Sequence, residues 1–451
     1  MTDTPFQPAQ LLQDLLARCT AAGASGADAR LSRSEGVSLD VREGKLEGIE
    51  RAEAQSIALR CFFSQRMAHV SGSDFSAQGL TDLAERCVAM ARAVPEDPYC
   101  GIAPAEDLAS AEDISRDLDL DGVGEISDQQ LEEEAIAAEA AALAVPGVKQ
   151  VSGCGNGWSR TQGWVASTNG FANSRTSSSL GLGLAAIAEK DGKMERDYES
   201  RSARYIEDRP SPEEIGRVAG ERTVARLGAR KIATQTAAVI YDRRVSSSLV
   251  GSLIGAISGP AIARGVSFLK DRLGEQVFAK GVSVLDDPFR LRGMGSRTHD
   301  GEGRPVAPRA IIEDGVLTEW LLNGPSAKQL GLVANGYASA GFGDPPGIST
   351  SNITLEPGEL SPAEMMARAG KGLLVTDMFG PSINPNTGDY SVGVSGFWFE
   401  GGEIVHPVSE VTIAGDLPAM YARLIPASDL EIRGSRDAPS LLIEDMAIAG
   451  D

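Results

Sequence analysis

Histidine is the scarcest chemically useful residue here: the chain holds only His69, His299 and His406. The five cysteines are Cys19, Cys61, Cys87, Cys100 and Cys154, and none forms a CxxC. Beyond Cys154 the chain can offer a metal at most two histidines and no thiolate, which nearly excludes a His/Cys zinc site there. No GxSxG occurs, so the nucleophile elbow is absent. Gly393-Val394-Ser395-Gly396-Phe397 comes near it but reads as strand. A Ser-His-Asp triad would have to recruit His299 or His406. His406 precedes Pro407 and reads as a structural residue at a strand end.

Carboxylates are plentiful, and their bland readings are the better ones. Asp286-Asp287-Pro288 and Asp300-Gly301-Glu302-Gly303 could hold Mg²⁺ or do acid–base work, but Asp-Pro and Asp-Gly are also ordinary turn chemistry. No histidine-and-nucleophile set accompanies them, so the turn reading is preferred. Asp117-Leu118-Asp119-Leu120-Asp121-Gly122 starts like a calcium loop. Its twelfth position is Asp128 rather than Glu, and Leu118 and Leu120 suit the buried face of a short strand. Gly181-Leu182-Gly183-Leu184-Ala185-Ala186 has the shape of GxGxxA. It runs into a hairpin turn at Asp191-Gly192 rather than a helix, so it is read as a half-buried strand.

The elements that must position these residues follow from periodicity. Residues 8–22 show helical spacing, with Gly23 as a stop. Alternating runs around 37–41 and 56–63, with a turn at Glu43-Gly44, predict antiparallel strands, and 77–94 is helical again. The pattern then recurs. A helix over 128–145, with Asp128 as N-cap, is followed by strands turning at Asn169-Gly170 and Asp191-Gly192, then a helix over 212–228. Helix, strands, helix, twice over, predicts a duplicated unit.

From Thr234 the texture changes. Ala237–Tyr241 reads as a buried strand, Ser246–Ser258 as an uncharged small-residue helix, and 267–279 as a more polar one. The helix 246–258 is expected inside the domain, with Gly255 part of its buried surface. Gly-rich clusters at 293–303, 335–347 and 384–403 then alternate with short strands. The predicted fold is α+β: an N-terminal domain of duplicated helix-plus-antiparallel-sheet units over 1–230, with an acidic connector at about 100–127. A β-rich C-terminal domain with a few helices covers 231–451.

Lys and Arg number 42 against 63 Asp and Glu, a formal net charge of −21. Residues 105–134 alone hold twelve acids and a single base, Arg116. Such a surface disfavours nucleic acid and anionic membranes. No apolar run reaches the roughly 18 residues of a spanning helix. The N-terminus lacks the basic and apolar stretches of a secretory signal. Sparse, odd-numbered cysteines suggest reduced thiols and a cytoplasmic location.

Several C-terminal segments carry a family resemblance: VSVLDDP at 282–288, HDGEGRP at 299–305, IIEDGVLTEWLLN at 311–323, NTGDYSVGVSGFWFEGGEIVHPVSEVTIAG at 386–415 and PSLLIEDMAIAG at 439–450. In their order and spacing they resemble the TldD/PmbA family, whose members have been called modulators of DNA gyrase and peptidases. The resemblance spans nearly the whole chain. It implies an α+β N-terminal domain, a β-rich C-terminal domain and two branches that pair as a heterodimer. The TldD branch carries HExxxH on a helix plus a C-terminal cysteine, which together hold a catalytic metal. The corresponding stretch here, Leu249–Ser258, has no His, Glu or Asp. The resemblance is therefore closest to the PmbA/TldE branch, which implies a subunit without its own metal.

The expected function is that of a metal-free subunit of a cytosolic heterodimeric metallopeptidase, whose TldD-like partner carries the metal and cleaves small or unfolded peptides. The alternative is an independent homodimeric peptide-binding or chaperone-like protein. A hydrolase built on carboxylates around Asp300 and Asp389 lacks a nucleophile or metal set. No catalytic, cofactor-binding or metal-ligating residue is assigned, and no cofactor is expected. Strand segments such as 391–399 are expected to offer backbone groups to an extended peptide.

Overall fold

The computed structural model describes residues 7–124, 126–339 and 347–450. The first half runs α1 (Pro8–Ala21), β1 (Gly26–Arg42), β2 (Lys45–Phe63), β3 (Arg66–Gly72), α2 (Ala77–Ala93), a single turn α3 (Ala111–Ile114), α4 (Asp128–Leu143), β4 (Val148–Ser167), β5 (Ala172–Lys190), β6 (Lys193–Ala203) and α5 (Pro212–Ala225). The duplication expected from the sequence is real, and its two copies make one sheet of order β3-β2-β1-β4-β5-β6. The copies join along β1 and β4, antiparallel from Asp28↔Ser167 to Val41↔Cys154. Their backbones approach closely at that junction: a Cβ on Gly157 would lie 2.4 Å from the Val37 carbonyl oxygen.

Alternation along β1 decides what each face does. Ala27, Ala29 and Leu31 are buried with Leu12, Leu15 and Leu83 beneath α1 and α2. Farther along, Val37, Leu39 and Val41 pack with Leu131 and Ala219 of α4 and α5. Helices α1, α2, α4 and α5 therefore cover one face. The even-numbered residues, Asp28, Arg30 and Ser32, turn to the other face, which meets the second half of the chain.

The second half contains β7 (Gln235–Tyr241), α6 (Ser247–Ala256), α7 (Gly259–Ala263), β8 (Val284–Asp286), β9 (Arg309–Glu313), β10 (Val316–Leu317), α8 (Gly324–Leu330), β11 (Ile353–Leu355), α9 (Pro362–Ala369), β12 (Lys371–Ile383), β13 (Asp389–Glu400), β14 (Glu403–Asp416), α10 (Leu417–Ala422), β15 (Ile425–Pro426), β16 (Arg436–Asp437) and β17 (Leu441–Ala449). One sheet has the order β10-β9-β8-β11-β16 and the other β14-β13-β12-β7-β17-β15. An added pairing of β14 with β17, at Ile413↔Ile448, closes five of those strands into a ring. The architecture is thus α+β and rich in strand, as expected.

Several local expectations are corrected. No helix forms over 267–279: Gly274 sits at φ +80°, and the N–H groups of Gly274 and Val277 donate to the carbonyls of Leu317 and Gly315 rather than to a preceding turn. The N-cap of α4 is Ser127, whose hydroxyl accepts from the Gln130 N–H at 3.1 Å; Asp128 is the first helical residue. Leu118 and Leu120 are buried, but their segment is irregular rather than a strand, with Asp119 at φ +54°. His406 lies inside β14 opposite Trp398, not at a strand end. Residues 391–399 belong to β13, whose two sides are occupied by β12 and β14, so they offer no edge to a peptide.

The small-residue helix is α6, and Leu249, Val250, Leu253 and Ala256 pack it into the core. Gly255, however, is exposed, and an added Cβ there would meet nothing within 4 Å. The small-residue pattern is not all buried face. Leu253→Ala should cost about 2–5 kcal/mol, whereas Gly255→Ala should be neutral or stabilising by up to about 1 kcal/mol. Chemical denaturation of the two variants checks this, and comparable losses in both would contradict the packing described.

Candidate functional site

The polar face of the first sheet and the loops of the second half enclose a cavity of about 750 Å³. Four arginines line it: Arg30 from β1, Arg175 from β5, Arg204 just after β6, and Arg297 from the Gly-rich 293–303 loop. Neutral groups hold all of them. Arg30 Nη2 donates to the Gly301 carbonyl, and Arg175 Nη1 donates to the Ser296 carbonyl at 3.2 Å. Arg204 donates to the carbonyls of Ser178 (2.6 Å), Gly293 (3.3 Å) and Met294 (3.1 Å), while its buried Nε has no partner. Arg297 donates to the Ser351 hydroxyl at 2.9 Å and to the carbonyls of Gly336 (3.2 Å) and Ser349 (2.7 Å).

Among the described residues none of the four is ion-paired with a carboxylate. Arg204 and Arg297 are buried, Arg30 is half-buried and Arg175 is exposed; other enclosed arginines have carboxylate partners. Arg60 pairs with Asp28 at 2.5 Å and Arg244 with Asp197 at 2.6 Å. Desolvation in the cavity holds all four guanidinium pKa values below the ordinary; neighbouring arginines add to this at Arg30, Arg175 and Arg204, while Asp28 opposes it at Arg30 and Asp286 and Asp300 oppose it at Arg297. They stay charged near neutrality, because the ordinary value is so high.

The carboxylates near the cavity are occupied with backbone. Asp300 accepts from the N–H groups of Glu302 (2.8 Å), Arg304 (2.9 Å) and Ala338 (3.1 Å). Glu302 accepts from Gly324 N–H at 2.9 Å, and Asp286 from Ser351 N–H at 3.0 Å. Burial pushes Asp286 up to about 6. These acids tie loops together, as the turn reading anticipated. Asp389 is not brought to them: it starts β13, accepts from the Thr387 hydroxyl at 2.6 Å and does not line the cavity.

His299 is the one histidine in the cavity wall. Its Nδ1 lies 2.7 Å from the Asp300 carbonyl oxygen, to which it donates in the neutral form, and its ring stands edge-on to Phe171 at 4.9 Å. Burial, reinforced by Arg175, Arg30 and Arg297, pushes its pKa down to about 4. Such an imidazole is neutral near pH 7 and a poor general base there.

A cavity with four guanidinium groups repels a metal cation and favours anionic oxygen. Elsewhere the donors do not converge either. His69 is on β3 and His406 on β14. Helix α6, where the family resemblance would put a metal-binding HExxxH, runs SSLVGSLIGA. Among the described residues no group of three or more His, Cys, Asp or Glu could hold a metal ion. The side chains present do not fit the resemblance's catalytic metal.

Three family models match in succession: PmbA/TldA metallopeptidase domain 1 over residues 27–91, the central domain over 121–227 and the C-terminal domain over 234–450. The metalloprotease PmbA of Escherichia coli O157:H7 is 35% identical over 94% of this chain and 92% of its own. The chain belongs to the PmbA/TldD family. A PmbA homolog from Haemophilus influenzae is 32% identical over 96% of this chain and 94% of its own. A solved structure from Bacteroides thetaiotaomicron, named as a candidate modulator of DNA gyrase, shares the fold with a TM-score of 0.90 at 24% identity, over 98% of each chain. TldE from Thermococcus kodakarensis does so with a TM-score of 0.86 at 17% identity, over 98% of this chain and all (100%) of its own. PmbA/TldD is a peptidase family, so this chain has a peptidase fold whose α6 carries no metal donor. Among the described residues no helix is long and apolar enough to cross a membrane.

The cavity arginines were not singled out from sequence. The available signal was the polar set Asp28, Arg30 and Ser32 alternating with Ala27, Ala29 and Leu31 on a strand buried on both faces.

His299 gives this site a pH signature. Its folded pKa of about 4 lies below the unfolded value of about 6.5. Between those values the unfolded chain binds a proton that the folded chain refuses, so stability falls as pH drops from about 6.5 to about 4. Asp286, raised to about 6, opposes part of this because the folded chain binds its proton first. His299→Gln should remove up to about 3 kcal/mol of the acid-side loss. Denaturation midpoints measured across that range check it, and parallel profiles for the two chains would refute the assignment.

Proposed function

We propose that this chain is the metal-free subunit of a TldD/TldE-type heterodimeric cytosolic metallopeptidase that processes small or unfolded peptides, with the metal on a TldD-like partner. The observation that carries the reading is a family fold present along nearly its whole length, with a central helix, α6, that has no metal donor. The five cysteines are all buried and unpaired, in keeping with a reducing compartment. In this reading the chain has no catalytic, cofactor or metal residues of its own. The N-terminal unit (1–230, with its acidic connector at about 100–127) and the C-terminal unit (231–451) form the two walls of the peptide-holding cavity. Direct contact with DNA is not part of this reading, because the net charge is −21 and the four arginines line a cavity rather than an outer stripe.

A place for the peptide is available on β5. Strand β6 pairs only with Leu180–Lys190, so among the described residues no strand covers the outer edge of Ala172–Ser179. The Ser178 N–H points outward, since it donates to the Leu120 carbonyl at 2.9 Å. Alternation then turns the N–H and C=O of Ser174 and Thr176 outward as well. Asn173, Ser174 and Arg175 on this segment line the cavity. An extended peptide added here would be held through its main chain, with little regard to sequence.

Alone, the purified chain should not hydrolyse unstructured peptides above background, and addition of a TldD-type partner should give hydrolysis. Chelator-resistant peptidase activity of this chain alone would refute the reading, as would a partner equally active and stable without it. Thr176→Pro should lower hydrolysis by the assembled pair while leaving the fold intact, because proline deletes an outward donor without touching the β4 ladder. Unchanged turnover in that variant would remove β5 from the peptide path.

A further inference from the structure

We propose that the arginine-lined cavity is an anion site that takes the free C-terminal carboxylate of an extended peptide. The anion site stands on geometry alone; that its ligand is a peptide rests on the reading above.

The first argument is imbalance. Acids outnumber bases 63 to 42 in the chain, yet the cavity wall holds Arg30, Arg175, Arg204 and Arg297 against the single carboxylate of Asp300. Asp300 is already committed to three backbone N–H groups. Gathering like charges in a partly desolvated space is unfavourable unless a counter-charge enters it. At other enclosed arginines this fold supplies the counter-charge from its own side chains, as at Arg60–Asp28, Arg209–Glu134 and Arg244–Asp197. Here, among the described residues, the direct contacts are to carbonyl and hydroxyl oxygens, and Asp28, Asp286, Asp300 and Glu302 act on Arg30 and Arg297 only from beyond ion-pair distance.

The second argument is chemical type. All four cations are arginine, whose planar fork matches a carboxylate through two parallel hydrogen bonds. The Ser351 hydroxyl shares the wall, accepts from Arg297 Nε at 2.9 Å and keeps its own proton to donate to an anionic oxygen. At about 750 Å³ the space accepts the end of a peptide rather than a lone ion. The third argument is access. Arg175 is exposed and sits on the uncovered segment of β5, so a chain paired along Ser174 and Thr176 brings its terminus to the arginines. Such an anchor sets the register of the peptide from its C-terminus.

The test uses the full chain without any partner or hydrolysis, so its outcome is independent of the peptidase reading. Fluorescence anisotropy at low salt would compare a short, unstructured, N-terminally labelled peptide bearing a free carboxylate with the same peptide amidated at its C-terminus. The acid should bind about tenfold or more tightly than the amide. Arg175→Gln should abolish most of that preference, and Arg175→Lys should restore only part, because lysine keeps the charge and loses the fork. Arg175 makes one neutral contact and is the exposed member of the four, so this is the mildest of the four changes. As a check that needs no variant, NMR titration of His299 should move its pKa upward from about 4 when the acid peptide is present and not with the amide. Inorganic phosphate serves as the competing small anion. Equal binding of acid and amide, with phosphate bound in an Arg175-dependent way, would overturn the peptide terminus in favour of a free anion. No Arg175-dependent binding of acid peptide or phosphate would overturn the site altogether.

Discussion

The way the two halves dock depends on two buried carboxylates at the edge of the first sheet. Asp197 and Glu199 on β6 are almost fully enclosed, at 3% and 2% exposure. Asp197 pairs with Arg226 beyond α5 and with Arg244 beyond β7, and Glu199 with Arg222 of α5 and Arg433 before β16. Each acid is therefore shared between the two halves of the chain. Burial alone would raise the Asp197 pKa, but the Arg244 hydrogen bond and charge more than offset this and hold it below the ordinary value. An acid so placed has no acceptable state except paired, because leaving a buried charge alone costs about 3–5 kcal/mol. That demand fixes the angle of sheet against ring, and with it the shape of the cavity.

The seam and the cavity use the same residue types to opposite ends. At the seam each guanidinium finds a carboxylate, four of them sharing Asp197 and Glu199. In the cavity the guanidinium groups find carbonyl oxygens, and the sum is positive. The contrast also accounts for α6. A metal-bearing helix must present charged or imidazole donors to an open space. In this chain α6 instead packs Leu249, Val250 and Leu253 into the core, and the Tyr421 hydroxyl donates to its Leu249 carbonyl at 2.9 Å. The helix serves as an apolar strut behind the ring, and the cavity arginines lie between the face of the first sheet and the 293–303 loop.

Much of this was legible from periodicity, and the failures are instructive. The turns at Glu43-Gly44 and Asp191-Gly192, the helices at 8–22 and 77–94 and the duplication all came from local signals, because a hairpin or amphipathic helix is specified within its own residues. The stretch 267–279 misled because its backbone donors are taken by Gly315 and Leu317, about forty residues away, and no local pattern encodes that. Segment 391–399 reads as a strand and is one, but whether a strand is an edge depends on neighbours that alternation does not name. Gly255 failed for a related reason: small residues are compatible with both close packing and an open face. The candidate site was the least legible part. Arg30, Arg175, Arg204 and Arg297 come from four separate elements, and only the strand order brings them to one wall.

That origin has a mechanical consequence. Arg30, Arg175 and Arg204 are carried by the first half of the chain and Arg297 by the second, so charge repulsion across the cavity acts against docking while the first three arginines' hydrogen bonds to the Gly301, Ser296, Gly293 and Met294 carbonyls act for it. The Asp197 and Glu199 pairs pull them together at the β6 edge. Docking thus sets ion pairs at the seam and hydrogen bonds at the cavity against the like charge of the cavity arginines. A carboxylate bound between Arg175 and Arg297 would turn the repulsive term attractive, so it would stabilise the docked arrangement by mass action as well as by its own contacts. Ligand binding and the docking of the two halves would then be one equilibrium, coupled through the arginine cluster.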